Sequence, residues 1–255
     1  MSQSPSERWI LRPRPNPRAR LRLLCLPHAG GGASAFRGWA DALPVQVEVC
    51  PVQLPGRETR IAEPAIDRMG PLAEALADAL ARWRDLPFAV FGHSNGALIG
   101  FELARRLRRT GAPGPVHLFA CGRRAPDAAR PGPPTAHLPD AAFLDSLRDL
   151  GGIPDALREH PELLALLLPT LRADVALNEA YVFTEEAPLA CPITGYAGEL
   201  DPRAPPAEME RWARHTSAAF ALRTFPGGHF FPQTHRAEVL RALSADLPAL
   251  LGGPS

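Results

Sequence analysis

Phe88-Ala89-Val90-Phe91-Gly92-His93-Ser94-Asn95-Gly96 is the stretch on which the fold turns. A strand-length apolar run leads straight into a G-x-S-x-G pentapeptide, and Ala97 to Arg109 continues as a helix until Gly111. The pentapeptide alone is a weak signal, because strings of small residues arise by chance. Strand, sharp turn and helix together are what a nucleophile elbow requires. The turn is too tight for side chains at its outer positions, hence Gly92 and Gly96. It lifts the serine oxygen above the sheet edge and aims a helix N-terminus at it, where amides and dipole favour developing negative charge. The competing interpretation is that Ser94 only caps the helix and the glycines serve only the turn.

Working outward, Arg20 to Leu26, Val45 to Val49 (ended by Pro51), Val116 to Cys121, Ile193 to Ala197 and Phe220 to Phe225 also read as strands. Asp67 to Trp83 repeats apolar residues at three- and four-residue spacing, as a helix with one buried face does, and Gln233 to Leu250 reads as the last helix. This alternation predicts a mostly parallel sheet with helices on both faces, and together with the serine elbow it predicts the α/β-hydrolase fold. A helical block at roughly 138–183 breaks the alternation. We read residues 20–255 as a single domain with a helical cap inserted at about 126–188, and residues 1–19, rich in Pro and Arg, as a flexible arm.

A serine hydroxyl needs a base. Of eight histidines, His229 lies in the glycine loop Phe225-Pro226-Gly227-Gly228-His229-Phe230, after the last strand, where α/β sheets carry their sites. His93 adjoins Ser94, but the elbow points its side chain elsewhere, and His117 is inside a strand. His137, His160, His215 and His235 read as surface residues. The acid should follow a strand between serine and histidine. Asp201 in Gly198-Glu199-Leu200-Asp201-Pro202 is the first choice and Glu199 the reserve, while Asp174 in the cap reads as structural. The oxyanion hole should use two backbone amides: Asn95 after the nucleophile, and Ala29 in the loop after the first strand. That loop, with Gly30, Gly32 and Ala35, is also a degenerate dinucleotide fingerprint, but the second strand ends in Cys50-Pro51-Val52 with no acidic residue to hold a ribose.

Composition narrows the chemistry. All 28 basic residues are arginine, so Schiff-base lysines, P-loop lysines and Ser–Lys dyads are excluded. The formal net charge of +1 provides no global field for nucleic acid or a membrane surface, and neither is expected as a partner. Cys25, Cys50, Cys121 and Cys191 are scattered through apolar stretches and read as buried free thiols. With no signal-like N-terminus and no apolar run of membrane length, a soluble cytoplasmic protein is expected. No cofactor or metal is expected.

Leu26-Pro27-His28-Ala29-Gly30-Gly31, Gln53-Leu54-Pro55-Gly56-Arg57-Glu58, Gly92-His93-Ser94, Leu168-Pro169-Thr170-Leu171-Arg172-Ala173-Asp174 with Tyr181, and Gly228-His229-Phe230 occur in this order. The ordered set resembles the type II thioesterases that accompany polyketide synthases and nonribosomal peptide synthetases, over roughly residues 20–250. The resemblance implies hydrolysis of acyl groups from the phosphopantetheine arm of acyl or peptidyl carrier proteins, which would be transient partners of a monomer. The phosphopantetheine belongs to the substrate. In that family methionine usually follows the serine; here Asn95 stands instead. Phe143, Leu144, Leu147, Leu163, Leu164 and Leu167 would either roof an acyl pocket or form the cap's own core. Arg123 and Arg124, just past a strand, are candidates for a basic rim that meets an acidic carrier, whereas Arg105, Arg106, Arg108 and Arg109 read as a solvated helix face. A small-ester esterase, an acyltransferase or an inactive binding module on the same fold are the alternatives.

Overall fold

The computed structural model describes residues 5–130, 132–148 and 160–251. Six strands, β1 (Leu21–Leu26), β2 (Val47–Pro51), β3 (Phe88–His93), β4 (His117–Cys121), β5 (Ile193–Gly198) and β6 (Phe220–Phe225), form one sheet in the order β2-β1-β3-β4-β5-β6, every pair parallel. Burial on both faces explains why these strands read as near-continuous apolar runs. Side chains alternate between the faces. After the short helix α1 (Pro5–Trp9), Leu24, Leu26, Val90, Leu118 and Ala120 pack with helices α2 (Met69–Leu80) and α3 (Asn95–Arg109). Leu23, Cys25, Phe91, Phe119 and Tyr196 pack with Val239, Leu240 and Leu243 of the last long helix, Arg236–Asp246.

Register brings the functional loops to one edge. Leu26 pairs with Gly92, His93 with Cys121, Cys121 with Tyr196, and Gly198 with Phe225. The chain therefore leaves β1, β3, β4, β5 and β6 at the same carboxyl end of the sheet, where parallel α/β folds bind ligands. Between β4 and β5 lie α4 (Asp140–Arg148) and α5 (Pro161–Glu179), with a small apolar cluster of Phe143, Leu147 and Leu171.

Several boundaries differ from expectation. β2 begins at Val47 because the Val47 amide closes a turn onto the Pro44 carbonyl at 2.9 Å, leaving Val45 exposed. It includes Pro51, which an edge strand tolerates. The single final helix is broken at His235, whose ψ of 38° leaves the helical region. Residues 5–12, expected to be loose, pack against the β2 edge. The Leu11 amide donates to the Pro51 carbonyl at 2.9 Å, the Gln53 amide donates to the Trp9 carbonyl at 2.8 Å, and Ile10 is buried. An open edge of unpaired backbone groups is a liability, and this segment pairs with the carboxyl end of it, where Ile10 bridges Val52. No helix among the described residues is long and apolar enough to cross a membrane.

Candidate active site

Ser94 has φ 55° and ψ −112°, a strained backbone for a residue with a side chain, between the end of β3 and the first turn of α3. The glycines on either side are steric necessities. A Cβ on Gly92 would lie 2.3 Å from the Gly96 carbonyl, and one on Gly96 would lie 2.1 Å from the Leu26 carbonyl oxygen. The helix starts at Asn95, two residues earlier than its spacing suggests, so the nucleophile candidate abuts the first helical amides.

The structure brings together the three residues selected from the sequence. His229 Nε2 lies 3.0 Å from Ser94 Oγ, and His229 Nδ1 lies 2.8 Å from Asp201 Oδ2. The other carboxylate oxygen of Asp201 accepts the Arg203 amide at 2.8 Å and the Ala204 amide at 3.3 Å. Burial opposes ionisation of Asp201, but the His229 hydrogen bond, its charge and the two amides outweigh it and hold the carboxyl below its ordinary range. Glu199 is outside this hydrogen-bonded line. His93 turns away from Ser94, as expected, yet it has a use: its Nε2 lies 2.9 Å from the His229 carbonyl oxygen and so braces the loop that carries the base. His28 stands edge-on to Phe230, with ring centroids 5.1 Å apart. Burial pushes His28 down to about 4, helped by the charge on His229, and pushes His93 well below its usual value, so both stay neutral. His215, expected at the surface, is buried and lies 3.0 Å from Asp127.

The amides of Ala29 and Asn95, the two oxyanion candidates, form no hydrogen bond with other described residues. What sequence reasoning missed is how they are held. Asp174 of α5 accepts the Gly30 amide at 2.6 Å and both terminal nitrogens of Arg57 at 2.7 and 2.9 Å, a bidentate buried pair. The Asn95 side chain donates to the Asp174 carbonyl at 3.0 Å, and the Asn178 amide nitrogen donates to Asn95 Oδ1. Leu171 of the same helix lies over Gly30. One cap helix thus grips both halves of the candidate oxyanion hole. The only signal was the family pattern around Arg57 and Asp174, which carries no pairing information by itself.

Two charge assignments need correction. Arg105 is buried rather than solvated, bonded to Glu102 at 2.7 Å and Glu186 at 2.6 Å. Arg123 and Arg124 do not form an exposed rim: Arg123 donates to Asn178 Oδ1 at 2.6 Å, and Arg124 donates to the Arg203 carbonyl at 2.7 Å. Of the cap residues, Phe143 and Leu147 belong to the cap's own core, while Leu163 is exposed. The glycine loop is ill suited to a dinucleotide. Carboxylates already occupy its amides, Asp174 on Gly30 and Glu58 on Ser34 at 3.2 Å, where a pyrophosphate would need them.

The profile of the thioesterase domain matches residues 21–247. The chain is 45% identical to Linear gramicidin dehydrogenase LgrE of Brevibacillus parabrevis, over 98% of this chain and 96% of that protein. It is 44% identical to the solved RedJ thioesterase from the prodiginine biosynthetic pathway in Streptomyces coelicolor, with a TM-score of 0.85 over 92% of this chain and 94% of that one. The type II thioesterase BorB from the borrelidin biosynthetic cluster overlays at a TM-score of 0.82 with 35% identity, over 96% and 97% of the two chains. An α/β-hydrolase sheet, a strained serine elbow and these matches place the chain in the thioesterase domain family, among the type II thioesterases of polyketide and nonribosomal peptide pathways.

Proposed function

We propose that this protein hydrolyses acyl thioesters carried on the phosphopantetheine arm of carrier proteins, for editing or release, with Ser94, His229 and Asp201 as its catalytic residues. The observation that carries this is the continuous hydrogen-bonded line from Ser94 Oγ through His229 to Asp201, at 3.0 and 2.8 Å, beneath a strained elbow. His229 Nε2 takes the Ser94 proton as the oxygen attacks the thioester carbonyl, and Asp201 fixes the Nδ1–H tautomer. The oxyanion is met by the Ala29 and Asn95 amides. Collapse expels the thiolate, which receives its proton from His229. A water deprotonated by His229 then attacks the acyl-serine, and return of the proton frees Ser94 and the acid.

The nearly complete overlay on solved type II thioesterases supports a carrier-borne substrate. The free, buried thiols of Cys25, Cys50 and Cys121 suit a reducing cytoplasm, where the enzyme would act as a monomer that meets its carrier transiently. The test is hydrolysis of an acyl-phosphopantetheinyl carrier protein beside the matching simple thioester, by wild type and Ser94→Ala. Preference for the carrier, lost with Ser94, is the expected result. Equal turnover of a simple ester would favour an esterase, and full activity of Ser94→Ala would remove the nucleophile assignment.

A further inference from the structure

Most half-buried or buried arginines here hold a carboxylate: Arg57 with Asp174, Arg60 with Glu63, Arg105 with Glu102 and Glu186, Arg211 with Asp127. Arg123, Arg124 and Arg203 are half-buried and break this pattern. They follow the carboxyl ends of β4 and β5, beside the candidate triad, and none forms an ion pair among the described residues. A guanidinium has five donors. The hydrogen bonds among described residues use one on Arg123, to Asn178, one on Arg124, to the Arg203 carbonyl, and none on the Arg203 side chain. Asp201, the carboxylate that acts electrostatically on Arg203, is already committed to His229 and two amides.

The cluster is under electrostatic tension. Burial, and then the neighbouring charge of Arg203, pull Arg123 down to about 10, while burial also lowers Arg203 despite the opposing influence of Asp201. Like charges gathered in a partly desolvated place without a counter-ion are costly, and a ligand anion relieves that cost. The place is close to the chemistry. Asn178, which accepts from Arg123, donates to the side chain of Asn95, the residue after the nucleophile. The Ser94 amide itself donates to the Cys121 carbonyl at 2.8 Å, two residues before Arg123.

We propose that Arg123, Arg124 and Arg203 form an anion subsite beside Ser94 that takes a carboxylate or phosphate oxyanion borne by the thioester substrate. Guanidinium forks match the paired oxygens of both groups. The anion has two sources, a carboxylate on the acyl group or the phosphate of the phosphopantetheine arm. The inference rests on the thioesterase reading and deepens it.

The experiment uses four thioesters: butyryl and succinyl, each on pantetheine and on phosphopantetheine. Comparing succinyl with butyryl isolates an acyl carboxylate, and comparing the two carriers isolates the phosphate. Wild type, Arg123→Gln and Arg203→Gln are assayed, with the two Arg→Lys variants as charge-retaining controls. We expect one of the two kcat/KM ratios to favour the anionic member in wild type, to fall about tenfold or more in both Gln variants, and to recover largely with Lys, as loss of a charge-assisted hydrogen bond predicts. Arg203→Gln breaks no side-chain hydrogen bond among described residues, so it serves even if Arg123→Gln fails to fold. Ratios unchanged within about twofold in Arg203→Gln, with butyryl-pantetheine still hydrolysed in a Ser94-dependent way, would overturn the subsite and leave the thioesterase reading intact. No Ser94-dependent hydrolysis of any of the four, nor of an acyl-phosphopantetheinyl carrier protein, would overturn both.

Discussion

The triad and the cap are held by different physics. Ser94, Asp201 and His229 sit on loops that leave β3, β5 and β6, strands locked in register by backbone pairing and two large apolar clusters. The cap helix α5 places Leu171 in its small buried cluster and Leu177 in the large core, and its contacts with the site are polar links: Asp174 to Arg57 and Gly30, Asn95 to the Asp174 carbonyl, Asn178 to Asn95 and Arg123. Apolar packing tolerates small substitutions in increments, whereas a buried polar link fails at once when one partner is left unsatisfied. Chemistry is therefore anchored in backbone pairing and the apolar core, while the contacts between the roof and the oxyanion loops rest on polar links.

The largest effect should come from the triad side. Asp201→Asn keeps the shape but lets the imidazole take the wrong tautomer, and kcat should fall by ~10³–10⁴-fold with the fold intact. A drop smaller than about tenfold would make Asp201 a structural residue only. On the cap side, Asp174→Ala leaves Arg57 buried without its partner and should reduce unfolding free energy by about 3–5 kcal/mol in denaturant titrations. It also releases the Gly30 amide, so activity should fall even where the protein remains folded. An unchanged stability would show that the clamp is not closed in solution.

The core side carries a pH signature. Burial lowers His28 and His117 to about 4 and holds His93 well below its ordinary value. The unfolded chain binds these protons near pH 6.5 and the native one does not, so stability is full above that pH. It falls as pH drops from 6.5 towards 4 and levels off once the native groups titrate, at up to ~1.4 kcal/mol per pH unit for each histidine. His117, which meets Thr194 far down β4, can be replaced without touching the site, and the slope of denaturation midpoint against pH should become shallower in His117→Gln. The smallest expected effect is Asn95→Ala. Loss of its links to α5 should destabilise by about 1 kcal/mol and shift acyl-chain preference in a panel of thioesters, with Ser94 chemistry retained. An unaltered preference would mean that the cap does not read the acyl group through Asn95.

The same contrast explains what could be read from the sequence. Backbone-dictated features are local: the alternation of strands and helices, the glycines around Ser94, and the loops bearing Asp201 and His229 all show in spacing and composition. The cap links join residues 117 positions apart, as Arg57 and Asp174 are, and nothing in the spacing of either announces the other. For the same reason Arg105 and Arg123 read as surface charges, since their neighbours at 184–186 and 178 come from distant chain. Residues 5–12 carried too few apolar residues to look anchored, yet buried Ile10, Trp9 packed against the core, ion pairs of Arg8 with Glu63 and Arg12 with Glu48, and backbone hydrogen bonds dock them.

In this mechanism every acyl group passes through Ser94. It is tested most directly by mixing wild-type protein with an acyl-phosphopantetheinyl carrier protein, quenching in acid within the first turnover, and mapping the adduct by peptide mass spectrometry. A mass increase equal to the acyl group is expected on the peptide containing Ser94 and is absent in Ser94→Ala. Hydrolysis with no adduct at Ser94, or with the acyl group on another residue such as Cys191, would contradict it.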